Sequence, residues 1–383
     1  MAKRTIAALQ AKGKRVLVRG DFYVPLEPAG DGEYARAVAD DSRIRAALPT
    51  IEALRTQGAT IALCSHLGRP KGPDRKLSLR PVAQRAAELL GAPVPLAHDS
   101  VGPERDEQLA ELGPGDVLML ENVRFHPEEE QNDPAFAKQL AQGFDAYVND
   151  AFGAAHRAHA STEGVAHLLP AYAGLLLEKE VRILSSLLES PARPFLAIIG
   201  GAKVSSKIDV LKALVAKADV LAIGGGMANT FLAAAGTDIK ASLSEPDRED
   251  EARRITATAK ARGAEVLLPV DMRWGGDKIL DIGPQTEREF AAHIATAKTI
   301  FWNGPLGLFE QPEFAHGTEA IARAMAEAGE GGAVTVIGGG ESVQAVEQLG
   351  LAGKMTHVST GGGAALELVE GKRLPGVEAI PDA

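Results

Sequence analysis

Short, nearly continuous apolar segments recur along the whole chain, and this feature constrains the fold more than any other. The segments occupy residues 16–18, 60–63, 117–120, 146–148, 195–199, 220–223, 266–268, 299–302, 334–337 and 357–359. They lack the two-residue alternation of apolar and polar side chains that a strand with one exposed face shows. We therefore expect strands that are buried on both faces, as in a parallel sheet covered by helices.

Stretches with helical spacing separate these apolar segments. Residues 42–57 form one such stretch, although Pro49 inside it predicts a kink or an early end, because proline cannot donate the backbone hydrogen bond. Residues 78–90 form another, with Ser78 as the expected N-cap and Gly91 as the C-terminal stop. The alternation of strands and helices predicts a doubly wound α/β architecture.

The length of 383 residues fits more than one domain, at roughly 150 residues per domain. Residues 175–190 form a charged amphipathic stretch without Gly or Pro, and a proline-containing break follows it, which is typical of a domain connector. The predicted fold class is α/β, with two doubly wound, Rossmann-like parallel-sheet domains joined by a hinge helix. The expected bounds are 1–172 for the first domain, 173–190 for the interdomain helix and 191–369 for the second domain, with the tail 370–383 packing back on the first.

The charge balance excludes broad classes of partner. Lys and Arg number 41 against 51 Asp and Glu, so the formal net charge is −10. An acidic chain repels polyanions at long range, which argues against a nucleic-acid-binding or membrane-surface protein. Any anion-binding site must therefore be a local cluster of basic side chains.

Three features predict a cytoplasmic protein. The single cysteine, Cys64, cannot form an internal disulfide, which favours a reducing compartment. Residues 1–15 lack the long apolar core of a secretory signal. The longest uncharged run, 220–236, contains Gly and polar residues and falls short of the roughly 20 apolar residues that a membrane span needs.

Basic side chains follow four of the predicted strands in the first half of the chain. They are Arg19, His66, Arg69, Arg124, His156, Arg157 and His159. Because ligands of open α/β sheets bind beyond the carboxyl ends of the strands, we expect these side chains to converge there. Arginine forms bidentate contacts with phosphate and carboxylate, so this half predicts a pocket for a small, multiply anionic molecule. A metal site and a Ser-His-Asp site are weaker interpretations, because the usual ligand spacing and the Gly-x-Ser-x-Gly elbow are missing from the sequence.

Glycine-rich segments follow the predicted strands of the second half instead. They lie at residues 200–207, 224–226, 303–305, 338–342 and 360–363. Glycine lets backbone N–H groups approach a phosphate, and a helix N-terminus adds its dipole. The segments therefore predict a nucleotide phosphate site. The P-loop and dinucleotide fingerprints are absent from the sequence. Lys203 and Lys207, four residues apart, are expected to share a helical face and to point at the same anion. A small-anion pocket and a nucleotide site together favour a phosphotransferase.

Several motifs at these strand ends resemble those of one enzyme family. They are Arg19-Gly20-Asp21-Phe22, Ser65-His66-Leu67-Gly68-Arg69-Pro70, Glu121-Asn122-Val123-Arg124-Phe125, Asn149-Asp150-Ala151-Phe152-Gly153, Gly200-Gly201-Ala202-Lys203-Val204, Trp302-Asn303-Gly304-Pro305 and Ser359-Thr360-Gly361-Gly362-Gly363. From about residue 15 to its end, the chain resembles the phosphoglycerate kinase family. The resemblance implies reversible phosphoryl transfer from 1,3-bisphosphoglycerate to ADP, giving 3-phosphoglycerate and ATP, in glycolysis and gluconeogenesis. It also implies Mg²⁺ with the nucleotide, hinge closure before in-line transfer, and a monomer.

The resemblance also assigns site residues by motif. The residues implied for substrate binding are Asp21, Phe22, Tyr23, Arg43, His66, Arg69, Arg124, His156, Arg157 and His159. Those implied for nucleotide binding are Gly201, Ala202, Lys207, Gly225, Asn303, Glu310, Gly339, Gly340, Glu341 and Ser342. The implied catalytic residues are Arg43, Lys203 and Lys207, and Glu341 would contact Mg²⁺ through the nucleotide. No protein nucleophile is needed, because in-line phosphoryl transfer depends on positioning and on charge neutralisation.

Two positions depart from the family pattern. Tyr23 stands where the family usually has Asn, and Glu341 stands where it usually has Asp. We expect a working enzyme with altered affinity for its substrate or metal. The alternative is a catalytically weakened homologue that binds phospho-ligands. An NAD-dependent oxidoreductase is not favoured, because the first predicted strand is not followed by the Gly-x-Gly-x-x-Gly turn.

Overall fold

The protein is described by a computed structural model that covers residues 3–30 and 36–383. It divides into two compact units. The first unit contains the described residues up to Arg182 together with Arg373–Ala383, and the second contains Ile183–Lys372. The predicted functional domain bounds, 1–172 and 191–369, stay a prediction.

The first unit contains a five-stranded parallel sheet. The strands of the whole first unit are β1 (Arg15–Arg19), β2 (Leu26–Pro28), β3 (Arg36–Val38), β4 (Thr60–Cys64), β5 (Val117–Met119), β6 (Ala146–Asn149) and β7 (Ala171–Ala173). The order in the sheet is β5-β4-β1-β6-β7, and β2 and β3 form a separate antiparallel pair. The chain adds strands to one side of β1 and then to the other, which leaves a crevice for ligands at the carboxyl end of β1.

Helices cover the sheet of the first unit. They are α1 (Ser42–Thr56), α2 (Arg80–Leu90), α3 (Pro103–Ala110), α4 (Pro134–Ala141) and the start of α5 (Leu175–Glu189). Ile44 and Ile51 of α1 and Val82 of α2 are buried in one hydrophobic cluster with Val16 of β1 and Leu63 of β4. Strands β4 and β6 are buried along their whole length, as the continuous apolar segments predicted.

Two details of these helices differ from the predictions. Helix α1 continues through Pro49 to Thr56, so the expected early end is wrong. The Arg45 carbonyl lacks its usual helical donor, because residue 49 is proline and has no backbone N–H. Pro49 and Arg45 are both exposed, so water can bind this carbonyl instead. Ser78 is not the N-cap of α2, because the helix begins at Arg80, although the Ser78 hydroxyl accepts a hydrogen bond from the Arg80 backbone N–H at 3.2 Å.

The second unit contains a six-stranded parallel sheet. The strands of the whole second unit are β8 (Phe195–Ile199), β9 (Val220–Ile223), β10 (Glu265–Leu267), β11 (Met272–Gly275), β12 (Lys278–Ile282), β13 (Thr299–Asn303), β14 (Val334–Gly338) and β15 (His357–Val358). The order in the sheet is β10-β9-β8-β13-β14-β15, while β11 and β12 form an antiparallel pair. The first strand, β8, again lies between strands added on opposite sides, so its carboxyl end also borders a crevice.

Seven helices accompany this sheet in the described residues. They are α6 (Ile208–Val215), α7 (Gly225–Ala234), α8 (Glu249–Ala261), α9 (Pro284–Thr296), α10 (His316–Glu330), α11 (Gly340–Gln348) and α12 (Gly363–Val369). Phe290 and Ile294 of α9 and Ile321 of α10 are fully buried against Ile300 and Trp302 of β13. Both units therefore have the predicted α/β layering, with a mostly apolar parallel sheet and helices packed on it.

The C-terminal residues belong to the first unit and form α13 (Pro375–Glu378). The Gly376 backbone N–H donates to the Ala155 carbonyl at 2.8 Å, and the Asn149 side-chain amide donates to the Gly376 carbonyl at 3.1 Å. Leu374 and Ile380 are buried. The end of the chain is thus built into the first unit beside the carboxyl end of β6.

No helix in residues 3–30 and 36–383 combines the length and the apolar composition needed to cross a membrane.

Asp150 follows β6 and binds the first turn of α5. Its Oδ1 atom accepts hydrogen bonds from the backbone N–H groups of Leu176 at 2.9 Å and Leu177 at 3.2 Å. Burial raises the pKa of Asp150 to about 6. Asp150 is therefore an N-terminal capping group that takes up a proton in the folded state at a higher pH than in the unfolded chain.

We expect the contribution of Asp150 to stability to depend on pH. Because its pKa is higher in the folded state, the stabilisation is full below about pH 4 and is lost as the pH rises through about 6. Asp150→Asn keeps the Oδ1 acceptor but cannot titrate. Urea unfolding should therefore show the wild type losing up to about 3 kcal/mol relative to this variant between pH 4 and pH 7. A constant difference across this range would contradict the prediction.

Candidate active site

An open cavity of about 270 Å³ lies in the first unit, at the carboxyl ends of its parallel strands. It is lined by Asp21, Tyr23, Arg43, His66, Arg69, Arg124, Gly153, Ala154, Arg157 and His159. Eight of these ten residues were predicted to bind substrate, and they come from strand ends, loops and the start of α1, which are far apart in the sequence. Four arginines at one small cavity in a chain with a net charge of −10 make it a local site for an anion.

Two predicted substrate residues are not part of this lining. Phe22 is fully buried in the hydrophobic cluster of the unit, with its ring against Gly20. A ring in that position fixes the turn after β1 and leaves no side-chain surface for a ligand. His156 is partly buried outside the lining of the cavity.

Asp21 is the acidic member of the cavity. Its side chain is buried, and its Oδ2 atom accepts a hydrogen bond from Arg43 at 2.5 Å. Its Oδ1 atom is buried without a hydrogen-bond partner in the described part of the chain. A buried carboxylate oxygen with no donor is costly unless a ligand supplies one. One oxygen of Asp21 therefore holds Arg43, and the other keeps an unused capacity to accept a hydrogen bond.

The two histidines of the cavity are neutral at physiological pH. Burial lowers the pKa of His66 well below its usual value, and the nearby Arg19 and Arg124 lower it further. Burial and the charge of Arg124 likewise lower the pKa of His159 to about 4. The positive charge of the cavity therefore comes from its arginines, while the imidazoles supply uncharged hydrogen-bonding groups.

Arg19 occupies a different place from the other arginines at the strand ends. Its side chain is only 1% exposed and lies beneath the cavity rather than in its lining. It donates to the Ser161 hydroxyl at 2.8 Å and to His66 Nδ1 at 2.8 Å. Ser161 in turn donates to the buried carboxylate of Glu129 at 2.6 Å. No sequence pattern points to Glu129, because it lies in an acidic run that is typical of a solvated surface.

Tyr23 stands at the mouth of the cavity. Its side chain is 47% exposed, and its ring is tilted over that of His66 with 5.7 Å between the ring centroids. The bulk of the phenol is thus placed where a ligand must enter. Whether it changes the affinity for the substrate stays a prediction.

A second cavity, of about 190 Å³, lies in the second unit. It is lined by Gly201, Ala202, Gly225, Gly226, Leu243, Ile279, Leu280, Asp281, Pro305, Gly307, Leu308, Glu310 and Glu341. Five of these were predicted to bind nucleotide, namely Gly201, Ala202, Gly225, Glu310 and Glu341. The apolar side chains were not, because they come from loops and from β12, where no pattern in the sequence connects them.

The glycines of this cavity allow backbone segments to meet closely. Gly225 has a φ of +67°, and a Cβ atom there would lie 2.7 Å from the backbone of Gly201 and 2.8 Å from the Pro305 carbonyl. Only glycine fits this position, since other residues add both backbone strain and a clash. The three strand-end loops therefore converge here, with the exposed Leu243 and Leu308 on one side.

Five predicted nucleotide residues lie outside the lining: Lys207, and the four that support the loops around the cavity, Asn303, Gly339, Gly340 and Ser342. The Asn303 side-chain amide donates to the Gly338 carbonyl at 2.7 Å, and the Ser342 hydroxyl accepts from the Gly304 N–H at 2.5 Å. Gly339, with a φ of +90°, and Gly340 form the start of α11. No side chain caps this helix, so its first N–H groups are available to an anion beside Glu341.

The two lysines after β8 do not share a helical face, so that prediction is wrong. The segment after β8 stays non-helical through Lys203, and Lys207 is the residue that precedes α6. Lys203 is exposed, whereas the ammonium group of Lys207 donates to the Gly200 carbonyl at 2.7 Å. Burial lowers the pKa of Lys207 to about 8, and the carboxylate of Glu341 offsets part of this effect. The lysines therefore have different environments.

Comparisons with known proteins connect these two cavities to one family. The sequence profile described as phosphoglycerate kinase matches residues 6–372. The phosphoglycerate kinase of Moorella thermoacetica is 54% identical over 402 residues, and that of Chloroflexus aurantiacus is 53% identical over 405 residues. Each of these matches covers 100% of both chains.

Solved structures agree with the sequence matches. Phosphoglycerate kinase from Coxiella burnetii is 38% identical, with a TM-score of 0.88, and that from Pyrococcus horikoshii is 31% identical, with a TM-score of 0.83. Both matches cover 98% of each chain. The arginine-lined cavity, the glycine-rich cavity and these full-length matches lead to one conclusion: the chain belongs to the phosphoglycerate kinase family and is a phosphotransferase.

Proposed function

We propose that the chain catalyses the reversible transfer of a phosphoryl group from 1,3-bisphosphoglycerate to ADP, giving 3-phosphoglycerate and ATP. The observation that carries this proposal is the cavity of the first unit, where four arginines, two neutral histidines and one aspartate surround about 270 Å³. This volume suits a small acid rather than a polymer. The kinase named by the family requires such a site for its phosphoglycerate.

The cavity offers a partner for each polar group of phosphoglycerate. Arg69, Arg124 and Arg157 provide the planar donors that bind phosphate and carboxylate oxygens. The unpartnered Oδ1 of Asp21 would accept a hydrogen bond from the hydroxyl group of the substrate. His66 and His159 add hydrogen-bonding groups without further charge.

The second cavity would hold the nucleotide. Leu243, Ile279 and Leu308 provide an apolar surface for the base, and Glu310 would accept hydrogen bonds from the ribose hydroxyls. The glycine-rich loops and the uncapped N-terminus of α11 would present backbone N–H groups to the phosphates. These groups bind phosphate by hydrogen bonds that are independent of the base.

The transfer step requires charge neutralisation rather than a protein nucleophile. We assign this role to Arg43 of the first unit and to Lys203 of the second, with Lys207 contacting the nucleotide phosphates. Arg43 lines the cavity of the first unit, and Lys203 lies in the loop after β8, beside the cavity of the second. Their positive charges would stabilise the negative charge on the migrating phosphoryl group. Because the two substrates are assigned to different units, transfer requires hinge closure, which also excludes water.

The residues present fit a magnesium ion held chiefly by the nucleotide. Within the described ranges, no group of three or more His, Cys, Asp or Glu side chains could hold a metal ion. Mg²⁺ is often bound through one carboxylate together with substrate phosphates, and Glu341 at the start of α11 provides one carboxylate. The ion would neutralise phosphate charge when bound, while Glu341 would orient it.

We further propose a cytoplasmic monomer that serves glycolysis and gluconeogenesis and has no nucleic-acid or membrane partner. The net charge of −10 and the single buried Cys64 support these assignments. The alternative of a catalytically weakened binding protein receives no support from the comparisons, in which the relatives are named as kinases along their full length.

The proposed function is tested by ATP formation from ADP and 1,3-bisphosphoglycerate, measured with the purified chain and Mg²⁺. We expect turnover that is saturable in both substrates. Calorimetric titration with 3-phosphoglycerate and with ADP is the companion measurement. Binding of both ligands without turnover would overturn the enzyme assignment and support the binding protein instead.

The partly buried Lys207 predicts the alkaline limit of activity. Its pKa of about 8 means that its positive charge is lost as the pH rises above 8. In the wild type, kcat/KM for ADP should therefore fall by up to about tenfold per pH unit beyond that point. Lys207→Arg keeps its charge throughout this range, so its normalised profile should stay flat to above pH 9. Phosphorus NMR of the products measures both profiles, and identical alkaline limits would rule out Lys207 as the titrating group.

A further inference from the structure

The imidazole of His66 is held from below by a buried arginine. The Arg19 Nη2 atom lies 2.8 Å from His66 Nδ1. A guanidinium group has only donors, so Nδ1 must be the acceptor in this contact. A neutral imidazole has one protonated nitrogen, and the proton of His66 is therefore on Nε2.

Arg19 itself has little freedom to move. Its Nε donates to the Ser161 hydroxyl at 2.8 Å, and its Nη1 donates to the Gly20 carbonyl. Glu129 fixes Ser161 through both the backbone N–H, at 2.8 Å, and the hydroxyl, at 2.6 Å. Arg19 and Glu129 are both almost completely buried. Burial raises the pKa of the Glu129 carboxyl, and the charge of Arg19 offsets part of this rise. The donor to His66 is thus part of a closed, rigid network.

The other ring nitrogen of His66 is left for a ligand. In the described part of the chain, Nδ1 makes the one hydrogen bond recorded for the ring, and the side chain lines the anion cavity. A neutral imidazole with its proton on Nε2 donates a hydrogen bond to an anionic oxygen. The opposite tautomer would present a lone pair to that oxygen and repel it.

We propose that Arg19 is a positioning residue that holds His66 in the Nε2–H tautomer, so that His66 donates a hydrogen bond to an oxygen of the bound phosphoglycerate. This inference rests on the proposed function for the identity of the ligand. The contact between Arg19 and His66 exists without any ligand, so it can be tested separately.

The charged and titratable groups around His66 favour the same state. Burial is the main reason that the pKa of His66 is lowered, and Arg19, Arg124, His159 and Arg157 add to it in that order. The imidazole therefore stays neutral while it faces an anion, and the tautomer rather than the charge decides whether it attracts the ligand.

Nitrogen-15 NMR of the imidazole rings tests the tautomer directly. In the free wild-type enzyme, the His66 signal, assigned by its loss in His66→Gln, should show an unprotonated Nδ1 and a protonated Nε2. Titration with 3-phosphoglycerate should then shift the Nε2 signal more than the Nδ1 signal. A proton on Nδ1 in the free enzyme would overturn the proposal, whatever the catalytic activity.

The double variant Arg19→Met/Glu129→Gln tests the functional role without leaving a buried unpaired charge. We expect a mixture of His66 tautomers and an increase of about tenfold in KM for 3-phosphoglycerate, with KM for ATP unchanged. Arg19→Lys, which restores a buried donor, should recover the Nε2–H signal and most of the affinity. A double variant that keeps the wild-type tautomer and KM would overturn the proposal.

Arg105→Met is the matched control for loss of a buried arginine. Arg105 is also 1% exposed and donates to the Gln139 and Gln142 carbonyls, away from the cavity lining. The Arg105→Met substitution should lower the stability of the first unit without changing the His66 tautomer or the KM for 3-phosphoglycerate. An equal rise in KM in this variant would show that the Arg19 effect is only structural.

If the wild type shows the expected tautomer but does not turn over or bind 3-phosphoglycerate, the proposed function fails while the pairing of Arg19 with His66 stands.

Discussion

Arg43→Met will lower kcat by about 100- to 1000-fold while the protein stays folded. Arg43 is the cavity arginine paired with Asp21, at 2.5 Å, and about one third of its side chain remains exposed. A guanidinium group that is fixed at its base and open at the cavity can stabilise charge that develops during transfer. Methionine keeps much of the side-chain volume but removes all the donors. Steady-state kinetics with both substrates saturating gives the change in kcat.

Arg45→Met is the control for Arg43, because both residues lie on α1. Arg45 is more than half exposed, pairs with Asp41 at 2.8 Å and is not part of the cavity lining. Exposed ion pairs of this kind contribute at most about 1 kcal/mol to stability. We expect wild-type kcat for Arg45→Met, and a loss of less than tenfold in Arg43→Met would contradict the catalytic assignment of Arg43.

Lys203→Met will lower kcat by about 100-fold. Lys203 directly follows Gly201 and Ala202, which line the proposed nucleotide cavity, and its side chain has no hydrogen bond or ion pair among the residues that the structure describes. Its exposed ammonium group attracts the carboxylate of Glu245 at longer range but makes no direct ion pair with it, so its donors remain for the phosphoryl group. Because the charge is needed most in the transition state, kcat should fall more than the KM for ADP rises.

Lys212→Met provides the matched lysine variant. Lys212 lies on α6, a few residues after Lys203, and pairs with Glu251 at 2.8 Å on the exposed surface. This substitution should leave both kcat and KM unchanged. An equal loss in the two variants would mean that the general charge of this region matters, rather than the position of Lys203.

The strands and the glycine-rich loops were predictable because single residues determine them locally. A buried strand such as Thr60–Cys64 needs an apolar side chain at nearly every position, whatever its neighbours in space. Gly91 ends α2 with a φ of +58°, a conformation that few other residues adopt. Such features survive in the sequence because they depend on the residue itself.

The convergence of the basic side chains was also predictable, since parallel strands bring their carboxyl ends together. What the sequence could not show is which of them would be buried. Arg19 ends β1 and Arg69 follows β4, yet Arg69 lines the cavity whereas Arg19 lies beneath it, because Ser161 and Glu129 provide partners from distant segments. Only tertiary structure brings those partners to Arg19.

Two errors arose where a local rule met a different context. A four-residue spacing places side chains on one face only inside a helix, and α6 begins after Lys207, at Ile208. Pro49 is tolerated in α1 because it lies on the exposed face. The apolar wall formed by Leu243, Ile279 and Leu308 carries no periodic signal, because it is assembled from separate segments.

The docking of the C-terminal residues has a consequence for synthesis of the protein on the ribosome. The hydrogen bond between Asn149 and Gly376 joins residues 227 positions apart, beside the loop that carries Gly153 and Ala154 of the anion cavity. Domains generally fold as the chain emerges, N-terminal part first. The first unit cannot complete that contact until the chain has been translated through the whole second unit and up to Gly376. The contacts that the C-terminal residues make beside the anion cavity are therefore among the last in the first unit to form, although the first residue of the cavity lining is Asp21.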